Sequence, residues 1–294
     1  MTLQPRAVVV HRTSELDALV ARHGTTGQAA FFLESRGRDL AGVAASHAAL
    51  ERALASVAAD IPAEWRRVRV EREDLPRFAF EPGDVVVAVG QDGLVANVAK
   101  YLSGQPVIGV DPAPGEHPGV LVRHRAEAVG ALLSRHPGLP TDSLAMVTAW
   151  SDDGQRLTGL NEVFVGHASH QSARYTLAGG DGWRERQSSS GLLVGTGTGA
   201  TGWCLSVARE RRAPARLPER SSRDLAWFVR EAWRSPSTGA DHTGGELAPG
   251  DLLGVRAESD LVVFADGMEG DALHLTWGQE LTVGVADGAL HLVT

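Results

Sequence analysis

The most constraining feature of this chain is the run Asp84-Val85-Val86-Val87-Ala88-Val89, which leads straight into Gly90-Gln91-Asp92-Gly93. An apolar run without alternation has no face to turn toward water, so both faces of the strand must be covered, as in a parallel sheet. Parallel neighbours need a crossover connection. The residues supply one: a helix is expected over 94–102 and a second apolar strand over 107–110. Together they read as a βαβ unit, which is right-handed. Upstream, residues 7–10 and 68–70 read as further strands, and a helix is expected over 14–23. A longer helix is expected over 40–59, where Leu40, Val43, His47, Leu50, Leu54 and Val57 recur at helical spacing.

Beyond residue 125 the pattern changes. A helix expected over 126–136 leads into short strands separated by Gly and Asp turns, at 144–150, 162–165, 174–178, 191–194, 252–255, 261–265, 273–276, 281–285 and 290–293. That spacing is the signature of an all-β domain. Residues 214–250, rich in Arg, Ser, Pro and Gly, read as a long loop around a short helix at 224–233. The expected architecture is an α/β N-terminal domain with a Rossmann-like parallel sheet (residues 1–125) and a β-rich C-terminal domain (126–294). The last residues are free to return to the first domain.

Charge and cysteine content exclude several function classes. With 28 basic against 36 acidic residues the net charge is −8, so there is no electrostatic footprint for nucleic acid. All the basic residues except Lys100 are arginine, which carries no mechanism. A lone cysteine, Cys204, excludes an internal disulfide and any cysteine-based zinc cluster. No apolar stretch approaches membrane-spanning length, and the N-terminal residues lack a signal-peptide pattern. A soluble, cytoplasmic protein is expected, with no membrane partner.

Four short motifs carry candidate chemistry. Residues 90–93 place two glycines and a carboxylate between a buried strand and a helix N-terminus, where free backbone N–H groups face an anion. A carboxylate beside phosphates makes sense if it faces a hydroxyl or a magnesium ion; the plain alternative is that Asp92 caps the helix. The second motif is Gly195-Thr196-Gly197-Thr198-Gly199-Ala200-Thr201-Gly202-Trp203. Its hydroxyls and exposed amides suit sugar and base edges, and without a following lysine it is not a Walker loop. Asn161-Glu162 offers an amide and a carboxylate able to bind ribose hydroxyls, but alone it reads as a turn before a strand, and Asp266-Gly267 reads alone as a hairpin turn. His167 and His170 lack an evident third ligand, Cys204 reads as a packing residue, and Lys100 reads as solvated.

In order and spacing these motifs resemble the NAD kinases, a family within a superfamily that also holds diacylglycerol and sphingosine kinases. Gly90-Gln91-Asp92-Gly93 is similar to the family's Gly-Gly-Asp-Gly, and Asn161-Glu162 to its Asn-Glu/Asp. Residues 195–203 are similar to its Thr-Gly-Ser-Thr-Ala type of motif, and Val263 to Gly267 to its late Asp-Gly strand. Pro106-Val107-Ile108-Gly109-Val110-Asp111 and Leu160-Asn161-Glu162-Val163-Phe164-Val165-Gly166 resemble the mitochondrial-type branch more closely.

The resemblance implies an NAD kinase/diacylglycerol kinase-like fold. It also implies transfer of the γ-phosphoryl of ATP, with magnesium, to the 2′-hydroxyl of the adenosine ribose of NAD. By that resemblance Asp92 is catalytic, while Gly90, Gln91, Gly93, Asn161, Glu162, Thr196, Thr198, Gly199, Thr201 and Asp266 bind substrate or nucleotide. No protein residue is assigned as a metal ligand, and a homodimer is implied. The chain departs from the pattern at Gln91, Leu94, Ala200 and Gly202-Trp203, which bears on the acceptor more than on the fold. Two alternatives stay open: a kinase for another hydroxyl, such as a nucleoside or specialised metabolite, and a non-catalytic dinucleotide sensor.

Overall fold

The computed structural model describes residues 4–115, 119–211 and 216–294. Four of its strands, β1 (Arg6–His11), β2 (Arg66–Glu71), β3 (Asp84–Val89) and β4 (Pro106–Val110), form a parallel sheet in the order β2-β1-β3-β4. Every residue of β3 is buried, which accounts for its lack of alternation. Ala7, Val9, Val85, Val87, Ile108 and Val110 form one core face. They pack with Leu54 and Val57 of a long helix and with Val129 and Leu133 of a short one. Each valine buried this way contributes roughly 1.5–3 kcal/mol. The Arg6 guanidinium grips the buried Asp84 carboxylate in a two-pronged contact, at 2.8 and 2.7 Å. This pins the first residue of β3 to its register partner on β1.

The helices of this part are α1 (Glu15–His23), α2 (Thr26–Glu34), α3 (Leu40–Asp60), α4 (Asp92–Ala99) and α5 (Val129–Leu133). Ser14, Thr25 and Asp39 accept backbone N–H bonds as the N-caps of α1, α2 and α3. The single helix expected over 126–136 is a 3-10 turn followed by the five-residue α5. The amine of Lys100 is buried, 5.4 Å from the centroid of the Tyr101 ring, and not solvated as expected.

The remaining strands are β5 (Thr141–Ser151), β6 (Arg156–Gly159), β7 (Glu162–Gly166), β8 (Ala173–Gly179), β9 (Arg184–Ser189), β10 (Gly191–Gly195), β11 (Leu225–Arg230), β12 (Gly244–Leu247), β13 (Leu252–Ala257), β14 (Leu261–Ala265), β15 (Leu273–Leu275) and β16 (Glu280–Val293). One sheet runs β12-β11-β10-β7-β14-β15, all antiparallel. The other strands, β16, β13, β8 and β9, with β5 on β16 and β6 on β5, continue the ten-stranded sheet that begins β2-β1-β3-β4, the last residues of β16 pairing parallel with β4. Alternate residues of both sheets, among them Val163, Val165, Tyr175, Leu192, Val194, Trp227, Leu253, Val255, Val263 and Val283, share one core. The outer face of the antiparallel sheet is covered by α6 (Trp203–Glu210).

By internal contacts the chain divides into two units, Met1–Asp142 with His291–Thr294, and Ser143–Leu290. β16 begins in the second unit and its last residues belong to the first. The helix expected over 224–233 is instead β11, and the two strands expected over 281–293 are the single strand β16. Among the described residues no helix is long and apolar enough to cross a membrane.

Candidate functional site

In the first unit the motif residues gather at the turn from β3 into α4. The N–H of Gly90 donates to the Val110 carbonyl at 3.0 Å, so the turn is fastened to the end of β4. Gln91 is the N-cap of α4 but makes no side-chain capping bond, and it is exposed. A Cβ at Gly93 would meet nothing within 4 Å. The first turn of α4 therefore presents an open backbone with a favourable dipole end for an anion.

Asp92 does not cap its own helix. Its Oδ2 accepts the N–H of Val120 at 2.8 Å, and its Oδ1 accepts those of Leu121 at 2.8 Å and Val122 at 3.0 Å. Three consecutive amides of a segment about thirty residues away are thus clasped by one carboxylate. Gly109 makes room for that segment, because a Cβ there would lie 2.2 Å from the Leu121 carbonyl oxygen. The segment continues beside β4 as His124 donates to the Gly109 carbonyl and Asp111 donates to that of His124. A carboxylate has about four lone-pair sites, and the described residues fill three of them, leaving one position on Oδ2 without a donor among the described residues.

In the second unit the other three motifs meet. Asp266 follows β14 in a left-handed backbone conformation, φ 52°. This turns its carboxylate onto the connection between β6 and β7, where Oδ2 accepts the N–H of Leu160 at 2.8 Å. Its Oδ1 accepts those of Asn161 at 2.8 Å and Glu162 at 3.2 Å. The stoichiometry is that of Asp92: one carboxylate, three consecutive amides. Asp266 is therefore more than the hairpin turn that its dipeptide suggested.

The Gly-Thr loop closes on the same connection. The Thr196 hydroxyl donates to the Leu160 carbonyl at 2.6 Å and accepts the N–H groups of Thr198 and Gly199. The Thr196 N–H donates to the Asn161 carbonyl at 2.9 Å. A Cβ on Gly199 would lie 2.2 Å from that same carbonyl oxygen, and one on Gly197 would lie 1.9 Å from the Glu219 carbonyl oxygen. These two glycines thus serve contact between protein backbones. Thr201 is exposed, and its hydroxyl donates back to the Thr198 carbonyl at 3.2 Å.

Two groups here are poised for a ligand. The Thr198 hydroxyl is buried and has no hydrogen-bond partner among the described residues, a condition that costs free energy unless a ligand or water satisfies it. The Glu162 carboxyl is pushed up to about 8, first by burial and then by the charge of Asp266, so near neutral pH it is protonated and able to donate as well as accept. Behind it, Cys204 is buried and its thiol is pushed up to about 12 by burial and by Glu162.

The structure brings Asn161, Glu162, Thr196, Thr198, Gly199 and Asp266 together in one unit, and Gly90, Gln91, Asp92 and Gly93 together in the other. Sequence reading missed the amides of residues 120–122, the Gly109 contact and the Glu219 carbonyl. Backbone groups leave no mark in side-chain identity, although Gly109 stood inside one of the quoted stretches. His167 turns its Nδ1 to the Ser169 N–H at 3.1 Å, and no group of three or more metal-ligating side chains exists among the described residues.

No family model matches the sequence, and no curated protein matches it. Among solved structures the chain is similar to the crystal structure of an NAD kinase from Archaeoglobus fulgidus in complex with ATP. The two share 18% identity and a TM-score of 0.58, over 98% of this chain and 93% of the other. At that identity the likeness speaks for architecture, and the chain has an NAD kinase-like fold.

Proposed function

We propose that this chain is an ATP-dependent kinase whose acceptor is the 2′-hydroxyl of the adenosine ribose of NAD, the product being NADP. The observation that carries the reading is the convergence of Asn161-Glu162, the Gly-Thr loop and Asp266. Three motifs more than a hundred residues apart at their extremes share one hydrogen-bond network, and it leaves the buried Thr198 hydroxyl unpartnered among the described residues. An NAD kinase-like fold is the frame in which such a network has that use.

In this reading Glu162, as a neutral acid, and Asn161 bind ribose or base edges, and Thr198 gains the partner it lacks. Gly93, open on its outer side, lets phosphates approach the start of α4. Asp92 uses its remaining lone pair to orient the acceptor hydroxyl and draw off its proton while its other sites hold the 120–122 segment. ATP with magnesium supplies the transferable phosphoryl group when bound. Magnesium held largely by phosphates and waters needs only one or two carboxylates from the protein. Most of the catalysis then comes from positioning. The proposal includes a cytoplasmic homodimer without nucleic-acid or membrane partners, whose mass light scattering would measure.

A second reading, a kinase for another hydroxyl, is favoured by one feature. Gln91 places an exposed, uncapped amide where the resembling family has glycine. Incubating the purified chain with ATP, magnesium and NAD, and assaying NADP, separates the two. ATP consumed with no NADP formed, and a different acceptor phosphorylated, would transfer the assignment to the second reading.

A further inference from the structure

A solvent-open cavity of about 410 Å³ lies where the end of α6 meets β11, and none of the motif residues lines it. Two guanidiniums do. Arg211, the C-cap of α6, donates from Nη2 to the Val229 carbonyl at 2.7 Å and lies 5.0 Å over the Phe228 ring. Arg230, at the end of β11, lies 5.3 Å over the Trp203 ring. Its nearest carboxylate is Glu231, at 3.8 Å. Arg211 makes no ion pair among the described residues; partial burial lowers its pKa, and the charge of Glu231 offsets this only in part.

Of the five N–H donors that each guanidinium carries, this pair commits one to a protein acceptor among the described residues. Both planes are braced from behind by aromatic rings, so little side-chain entropy is left to lose on binding. Glu231 sits at φ 42°, a left-handed conformation costly for a non-glycine residue, and such strain concentrates at binding sites. Fastening α6 to β11 would by itself explain the Val229 bond. It does not explain a second arginine in the same cavity.

We propose that the cavity binds a phosphate-type oxyanion carried by a small molecule, gripped between Arg211 and Arg230. Guanidinium forks match the paired oxygens of phosphate, and the volume is that of small-molecule sites, not of a bare ion. Glu210 and Glu231 also line the cavity, but both are exposed, so water screens their opposition more than it screens the half-buried Arg211.

The test is a titration of the full chain with inorganic phosphate, and with sodium chloride at matched ionic strength. It is followed by NMR at the Nε–H groups of Arg211 and Arg230 and the indole N–H of Trp203. The expected result is saturable movement of all three with one binding constant for phosphate, and none for chloride. Arg230→Gln should weaken binding at Arg211 by about tenfold. If that variant melts lower, Arg230→Lys, which keeps the charge and loses the fork, should still weaken it several-fold. Non-saturating shifts that chloride reproduces, or unchanged affinity at Arg211 in a folded Arg230 variant, would overturn the proposal.

Discussion

Asp266 holds Glu162 through both backbone groups: its N–H donates to the Glu162 carbonyl at 3.2 Å, and its Oδ1 accepts the Glu162 N–H at 3.2 Å. The carboxylate that fixes the backbone of Glu162 also raises its side-chain pKa. One residue thereby sets both the position and the protonation of another, and this coupling makes the site testable by pH.

The Glu162 carboxyl is pushed up to about 8 in the folded chain, against about 4.3 for a free glutamate. Between those values the folded state holds a proton that the unfolded state has released, so raising the pH favours unfolding. The full linkage is about 1.4 kcal/mol per pH unit, but partial exposure to solvent reduces it to a fraction of that. Urea unfolding at pH 5.5, 7 and 8.5 should show falling stability for the wild type and a flatter profile for Glu162→Gln. Parallel profiles would mean that Glu162 titrates at an ordinary value.

Asp266→Asn replaces one acceptor oxygen with an amide facing N–H donors. Hydrogen bonds to a charged group contribute roughly 1.5–3 kcal/mol each. A loss of about 2–4 kcal/mol is expected, since the three bonds are not additive. Removing the charge should also lower the Glu162 pKa part of the way, burial being the larger cause. Carboxyl-carbon NMR on the variant measures that shift, and an unmoved Glu162 would show that burial alone raises it.

Asp92→Asn carries two consequences at once. If Asp92 draws off the acceptor proton, turnover should fall by roughly 10²–10⁴. Because its carboxylate also clasps residues 120–122, amide hydrogen exchange at those residues should quicken. Lost turnover with unchanged exchange would assign Asp92 to chemistry alone. Quickened exchange with NADP formation intact would make the clasp its whole contribution.

Cys204 is buried and its thiol lies at about 12. The thiolate is the reactive species, so iodoacetamide at pH 8 should leave the folded chain unmodified and alkylate it only in urea. Mass spectrometry before and after unfolding decides this, and rapid labelling of the folded chain would contradict the buried placement.

Parts of this molecule were legible in sequence because local physics determines them. β3 shows its two covered faces in five apolar residues, and α3 shows its buried stripe in a helical period. β11 did not, because Leu225-Ala226-Trp227-Phe228-Val229 is buried throughout, and an apolar run without alternation has no period to separate strand from helix. β9 was passed over because its buried positions are polar, Gln187 and Ser189. α2 was missed although Thr25 and Gln28 stand at capping spacing, Thr25 accepting the Gln28 N–H. At the site, the aspartates and the Gly-Thr loop were visible as residue types. Their partners are main-chain amides up to 106 residues distant, which no side-chain pattern announces.

The glycines of the two motifs should respond to alanine in opposite ways. At Gly197 a Cβ would fall 1.9 Å from the Glu219 carbonyl oxygen, so backbone must move, and Gly197→Ala should cost about 3 kcal/mol or more. At Gly93, in the first turn of α4, nothing lies within 4 Å of a Cβ and φ is not left-handed. Alanine is the better helix former there, so Gly93→Ala should gain roughly 0.5–1 kcal/mol. If Gly93 is where phosphates approach the start of α4, the same methyl group stands in their way, and this stabilised variant should make NADP more slowly. Melting temperature and turnover measured on both proteins give the answer. A Gly93→Ala enzyme that is more stable and equally active would move the phosphates away from this turn.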